Sequence, residues 1–245
     1  MASIPKDPTA IFSEVTDDYK ALYGADLISI ILYGSAVGQD YRPGKSDINF
    51  MMVLSEEGIE QLDKAFKTVA KWRRRNVAIP LFLTEGYIHS SLDVFPIEYL
   101  NFQQNRRLVF GNDVLKGLTF KAEDVRRQCE REIKGKLLLL RAAFLETMGK
   151  GRQIKGLMGR SLGALSAIFK ALLYLKAEPP LTGKRAVIDR TCELFELDGA
   201  LFVKLLDIKE ERLKPDNDEL RVMFRDYLSQ MRKLAKEVDA LGGER

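Results

Sequence analysis

The stretch Leu27-Ile28-Ser29-Ile30-Ile31-Leu32-Tyr33-Gly34-Ser35, followed after an irregular loop by Asp47-Ile48-Asn49-Phe50-Met51-Met52-Val53-Leu54, decides how this chain folds. Leu27 to Tyr33 is mostly apolar or β-branched and carries no charge, which is the pattern of a strand buried on both faces. Gly34 ends it, because glycine lets the backbone turn sharply and approach a ligand closely. Ser35 adds a hydroxyl and an amide suited to phosphate oxygens. The loop Ala36 to Ser46 holds Gly38, Pro43 and Gly44 with Arg42 and Lys45, and so reads as irregular and moderately cationic.

From Asp47 a second strand begins. Period two sends Asp47 and Asn49 to one face and Ile48 and Phe50 to the other, so two polar oxygens lie side by side. Hard divalent cations such as Mg²⁺ take oxygen ligands and bind through one or two carboxylates plus substrate phosphates. The competing reading makes Asp47 a turn cap and Asn49 an ordinary strand-end residue.

Gly34-Ser35, a spacer and Asp47-Ile48-Asn49-Phe50 resemble the signature of the DNA polymerase β-type nucleotidyltransferase superfamily, and within it the small bacterial nucleotidyltransferases that include the aminoglycoside adenylyltransferases. The motif itself covers residues 32 to 50. The resemblance implies an α+β fold, with an N-terminal mixed β-sheet domain and helices followed by a C-terminal helical bundle that closes over the nucleotide. It further implies a metal-dependent enzyme. An acceptor hydroxyl on a small molecule or protein would attack the α-phosphate of an NTP, ATP in the first instance, taking up AMP and releasing pyrophosphate. Mg²⁺ or Mn²⁺ would be held by motif carboxylates and a third ligand from a later strand. Gly34, Ser35 and Ser46 are then candidate nucleotide-binding residues, and Asp47 and Asn49 candidate catalytic and metal-binding ones.

The third ligand should follow a connecting helix, for which residues 55 to 75 are suitable. Val77 to Thr84 reads as a strand made an edge or a late start by Pro80. The segment Leu92 to Leu100 reads as a further strand and offers Asp93 and Glu98. Glu98, flanked by Ile97 and Tyr99, is favoured, since a carboxylate in an apolar run needs a compensating ion or partner. Asp93, near Ser90 and Ser91, is the alternative third ligand and more easily a turn residue.

Asn49 departs from the family pattern, which has a carboxylate there. Two unit charges 4 Å apart interact by about 4 kcal/mol at an effective dielectric of 20, and a divalent ion doubles that. Loss of the charge threatens the ion that would activate the acceptor more than it threatens nucleotide binding. A catalytically weakened nucleotide-binding or regulatory partner module is therefore the second functional reading.

The 245 residues, 46% of them apolar, suffice for real cores. The N-terminus lacks the apolar segment of a signal peptide and no apolar run approaches a membrane span, so a cytoplasmic protein is expected. Cys129 and Cys192 have no metal-ligand spacing and read as packed thiols. The formal net charge of +4 arises from the second half, as a diffuse excess that argues against a dedicated nucleic-acid groove. That half also changes period: Val125, Cys129, Ile133, Leu137, Leu140, Phe144 and Met148 recur every three or four residues. Further helices are expected over 154–175, 184–196, 200–212 and from Asn217 onward, which sets a division into residues 1–120 and 121–245.

Three local features have two readings each. Gly156, Gly159 and Gly163 allow close helix packing, or else free Lys155 and Arg160 to reach the triphosphate. Arg73-Arg74-Arg75 could meet a polyanion, or favour the dipole of a helix end. His89 lies in no nucleophile motif and reads as a surface or structural residue. The acceptor and the oligomeric state, a homodimer included, stay open.

Overall fold

The computed structural model describes residues 4–38 and 41–242. The chain divides into two compact units: one is built from the residues up to Leu92 together with Phe102–Thr119, the other from Asp93–Asn101 together with the chain from Phe120 on.

The first unit is a four-stranded mixed sheet with helices. Its elements are α1 (Phe12–Tyr23), β1 (Leu27–Tyr33), β2 (Asn49–Leu54), α2 (Glu56–Ile59), α3 (Phe66–Arg73), β3 (Leu81–Leu83) and α4 (Glu85–Ser90). After α5 (Pro96–Gln104), within which the boundary between the units falls, β4 (Arg106–Gly111) returns to the sheet. The strand order is β3-β2-β1-β4. β1 runs antiparallel to β2 and β4, and β2 runs parallel to β3. The run Ile30-Ile31-Leu32 is fully buried, as a charge-free central strand requires. One face carries Ile30, Leu32, Phe50, Met52 and Leu54 against Ile11, Val15 and Tyr19, which lie four residues apart on or just before α1. Trp72 of α3 joins this core, and its indole N–H donates to Asp18 of α1 at 2.8 Å.

β4 ends at Gly111, where φ is +76° and an added Cβ would lie 1.9 Å from the Ile28 carbonyl oxygen. Only glycine lets β4 leave the sheet there.

Residues 55 to 75 form helices in pieces, α2, a 3₁₀ turn Leu62–Ala65 and α3. Residues 77–84 contribute a bridge from Val77 to Ile48 and the short β3, which starts directly after Pro80 at the sheet's edge. Arg75 of the arginine run pairs with Glu14 and lies over the Trp72 ring at 4.8 Å.

Leu92 to Leu100 is not a strand. Pro96 opens α5 instead, because its fixed φ and missing N–H suit the first helical position. Glu98 is in the first turn, exposed, and the apolar residues Ile97 and Leu100 are buried on one side of the helix. The expected burial of Glu98 in an apolar strand is thereby corrected.

The second unit is helical: α6 (Ala122–Glu146), α7 (Gly151–Leu175), α8 (Lys184–Leu194), α9 (Gly199–Lys209) and α10 (Asn217–Ala240). Val125, Cys129, Ile133, Leu137 and Leu140 of α6 are buried, as the period implies. Phe144 stacks on Phe224 of α10 at 4.3 Å, and Ser161 and Tyr227 share a 2.6 Å hydrogen bond. α10 opens on a capping box between Asp216 and Glu219. α7 is long and apolar enough to cross a membrane by length and composition, although its apolarity is dispersed among Gly, Ala and Ser rather than gathered in one run. Half of its most apolar stretch is buried inside the fold, where Leu165, Phe169 and Leu172 are wholly enclosed.

Candidate nucleotide-binding site

In the sheet unit the turn after β1 and the start of β2 come together as the strand pairing requires. Tyr33, the last residue of β1, is the register partner of Asn49, the first of β2. Gly34 follows with φ +78°, and the chain continues as a 3₁₀ turn Gly34–Val37. An added Cβ at Gly34 would lie 3.5 Å from Asn49 Nδ2. Ser35 is half-buried, and its hydroxyl makes no hydrogen bond among the described residues. A free hydroxyl and the backbone of a tight turn therefore sit beside Asn49.

Asp47 and Asn49 face away from the core, while Ile48 and Phe50 are fully buried. The Asp47 side chain is exposed and makes no ion pair among the described residues. Asn49 donates from Nδ2 to the Asp47 carbonyl oxygen at 3.4 Å. Ser46 accepts a hydrogen bond from the Arg42 N–H at 3.1 Å, which closes the loop just before Asp47.

Two residues that sequence reasoning missed hold this geometry. Asn76, in the left-handed region with φ 64°, donates from its side chain to the Ser46 carbonyl at 2.8 Å, and its own carbonyl accepts from Ile48 N–H at 3.0 Å. It thus clamps both sides of Asp47. An asparagine directly after a helix end was the available signal, since asparagine tolerates the left-handed conformation there. Asn105 donates to the Gly34 carbonyl at 2.9 Å and fixes the turn from the β4 side; no local pattern marks that contact.

Asp93 and Glu98 belong to the helical unit, as do Lys155 and Arg160. Glu98 Oε2 accepts a 2.7 Å hydrogen bond from Gln128 Nε2. Asp93 is exposed, just before α5. Lys155 and Arg160 line one open pocket of about 560 Å³, together with Arg152, Lys209 and Glu211. His89 is exposed on α4. Cys129 and Cys192 are buried free thiols.

The donor chemistry of the sheet unit fits one divalent ion and not two. Asp47 supplies one carboxylate and Asn49 one neutral amide oxygen, a set that can hold an Mg²⁺ carried in by a triphosphate. The parallel neighbour strand, from Val77 to Leu83, has no acidic residue at all. Among the described residues no three His, Cys, Asp or Glu side chains are grouped to hold a metal ion.

Mixed sheet and helical region have the fold of a solved adenyltransferase structure. In particular, the chain is similar to the solved structure of the spectinomycin adenyltransferase AAD(9) from Enterococcus faecialis with ATP and spectinomycin, with a TM-score of 0.50 and 13% identity, covering 90% of this chain and 99% of that one. No family model matches the chain, and no curated protein matches it in sequence.

Proposed function

We propose that this protein binds a nucleoside triphosphate, ATP in the first instance, with one divalent ion at the Gly34–Ser35 turn, and that AMP transfer by it is weak. The observation that carries this reading is the pairing of an intact turn with a single carboxylate: Asp47 is joined by Asn49, and the strand parallel to β2 offers no acid. Ser35 and the turn amides hold the outer phosphates, Ser46 shapes the loop, and Asp47 meets the ion that the triphosphate brings. That ion neutralises phosphate charge. Such a protein acts as a nucleotide-binding or regulatory module.

The second reading is a full nucleotidyltransferase that moves AMP onto a hydroxyl of a small molecule or protein. It is supported by the likeness of fold to an adenyltransferase, and it needs Glu98, or Asp93 as the alternative, to provide a further carboxylate ligand. Positioning and charge neutralisation would then supply most of the rate.

Calorimetry with ATP and Mg²⁺ or Mn²⁺, on the wild type and Asp47→Ala, tests both. Metal-dependent ATP binding that Asp47→Ala abolishes is expected, and no ATP binding with either metal overturns both readings. Release of pyrophosphate in the presence of acceptors, lost in Glu98→Ala, would favour the transferase.

A further inference from the structure

The pocket between α7 and α9 belongs wholly to the helical unit and has an uneven charge. Arg152, Lys155 and Arg160 enter it from α7 and Lys209 from the end of α9, against one carboxylate, Glu211. Other cations of the same unit are neutralised: Arg185 by Asp207, Arg190 by Glu178 and Glu193, Arg221 by Asp218. The four pocket cations make no ion pair among the described residues. Even Asp207 and Glu210, close to Lys209 in sequence, are engaged by Arg212 instead.

Gly156 and Gly159 line the pocket, and Gly163 lies one turn further along α7. Arg160 folds back along α7 so that Nη1 lies 3.3 Å from where a Gly156 Cβ would be. The Lys209 stem passes 3.8 Å from the equivalent point at Gly159, and its Nζ comes within 2.6 Å of that at Gly163. Side chains at these positions would crowd the cationic groups. Gly156 thus leaves room for the Arg160 guanidinium, and Gly159 and Gly163 for the Lys209 side chain, about two helical turns apart along α7.

A cleft lined by one sign of charge concentrates counter-ions, and guanidinium groups match phosphate oxygens in a two-point fork. We propose that this pocket is a phosphate-anion site that takes the diphosphate or triphosphate group of a ligand without a metal ion. The volume of about 560 Å³ exceeds a single phosphate and suits a polyphosphate chain with its attached group. Four cations against one carboxylate leave a net charge of three to offset most of the charge such a chain carries. The proposal stands on the helical unit alone, and the phosphates belong either to a nucleotide or to another phosphorylated molecule.

The test is titration of inorganic triphosphate into the full chain in EDTA at low salt. Saturable one-to-one binding is expected, at least tenfold weaker in Arg160→Gln/Lys209→Gln and severalfold tighter in Glu211→Gln. Arg225→Gln, an exposed cation of α10, should leave it unchanged. Circular dichroism checks that each variant is folded. Competition by metal-free ATP supports the site with a nucleotide as its ligand; its absence supports the site with another phosphorylated ligand. No saturable triphosphate binding, or binding unaltered in the folded double variant, overturns the proposal. Asp47→Ala separates this result from the nucleotide reading, since it removes metal-dependent ATP binding and leaves metal-free triphosphate binding intact.

Discussion

The side-chain amide of Gln128 bridges the first turn of α5: its Oε1 accepts from the Ile97 N–H at 2.8 Å, and its Nε2 donates to Glu98 Oε2 at 2.7 Å. The Ile97 N–H is one of the amides that a helix start leaves without an intrahelical partner, and Gln128 supplies its acceptor. Gln128→Leu leaves a buried donor unsatisfied and should destabilise the protein by about 1–3 kcal/mol in urea unfolding. Glu98→Ala should cost under about 1 kcal/mol, because Glu98 is exposed and Gln128 keeps its bond to Ile97. A cost for Glu98→Ala equal to that of Gln128→Leu would show that the bridge acts through the carboxylate.

Asn49→Asp adds a full charge beside Asp47. Even a small part of the roughly 8 kcal/mol that a divalent ion gains from a unit charge 4 Å away at a dielectric of 20 exceeds a factor of ten. Mn²⁺ affinity in the presence of ATP should therefore rise at least tenfold by calorimetry, with a matching rise in any AMP transfer. Unchanged affinity would place the ion away from residue 49.

Two glycines of the sheet unit should differ sharply on substitution by alanine. Gly34→Ala meets a left-handed backbone but only an ordinary van der Waals contact, with Asn49 Nδ2, so the cost is about 1–2 kcal/mol of stability. Gly111→Ala drives a methyl group into the Ile28 carbonyl and should prevent β4 from pairing, seen as loss of the cooperative thermal transition.

Acid should weaken the helical unit. Lys134 and Arg126 hold the Glu130 carboxyl at about 2 instead of 4.5. A carboxylate depressed in the folded state stabilises above its unfolded value, and that stability is lost as pH falls from 4.5 through about 2. Solvent screening limits the contribution to about 1 kcal/mol. Glu130→Gln should flatten this part of the pH–stability curve, and an unchanged acid limb would refute the pairing.

Burial pushes the thiols of Cys129 and Cys192 up to about 12. A thiol-specific disulfide reagent at pH 8 should label neither in the native protein and both in urea. Fast native labelling of either would contradict its packing.

Much of the fold was legible because it depends on short-range rules. A charge-free run ending in glycine gives β1 and its turn, Asp47-Ile48-Asn49-Phe50 gives an alternating strand, and the three-to-four spacing after Ala122 gives the long helices. Leu92 to Leu100 misled because apolar residues around one acid suit a strand and a helix start equally. What decided was Pro96 at the first helical position and a partner, Gln128, that lies on a different helix.

The sequence by itself determined the turn at Gly34, the chemistry available at Asp47 and Asn49, and the missing charge between them. Only the tertiary structure decided that β3, devoid of acids, is the strand laid parallel to β2, that Asn76 and Asn105 clamp the turn, and that four cations from α7 and α9 share one pocket. The physical reason is one of range. Backbone conformation and face alternation follow from neighbouring residues, whereas a ligand set or a charged pocket is a sum over side chains far apart in sequence, fixed only when strands pair and helices pack.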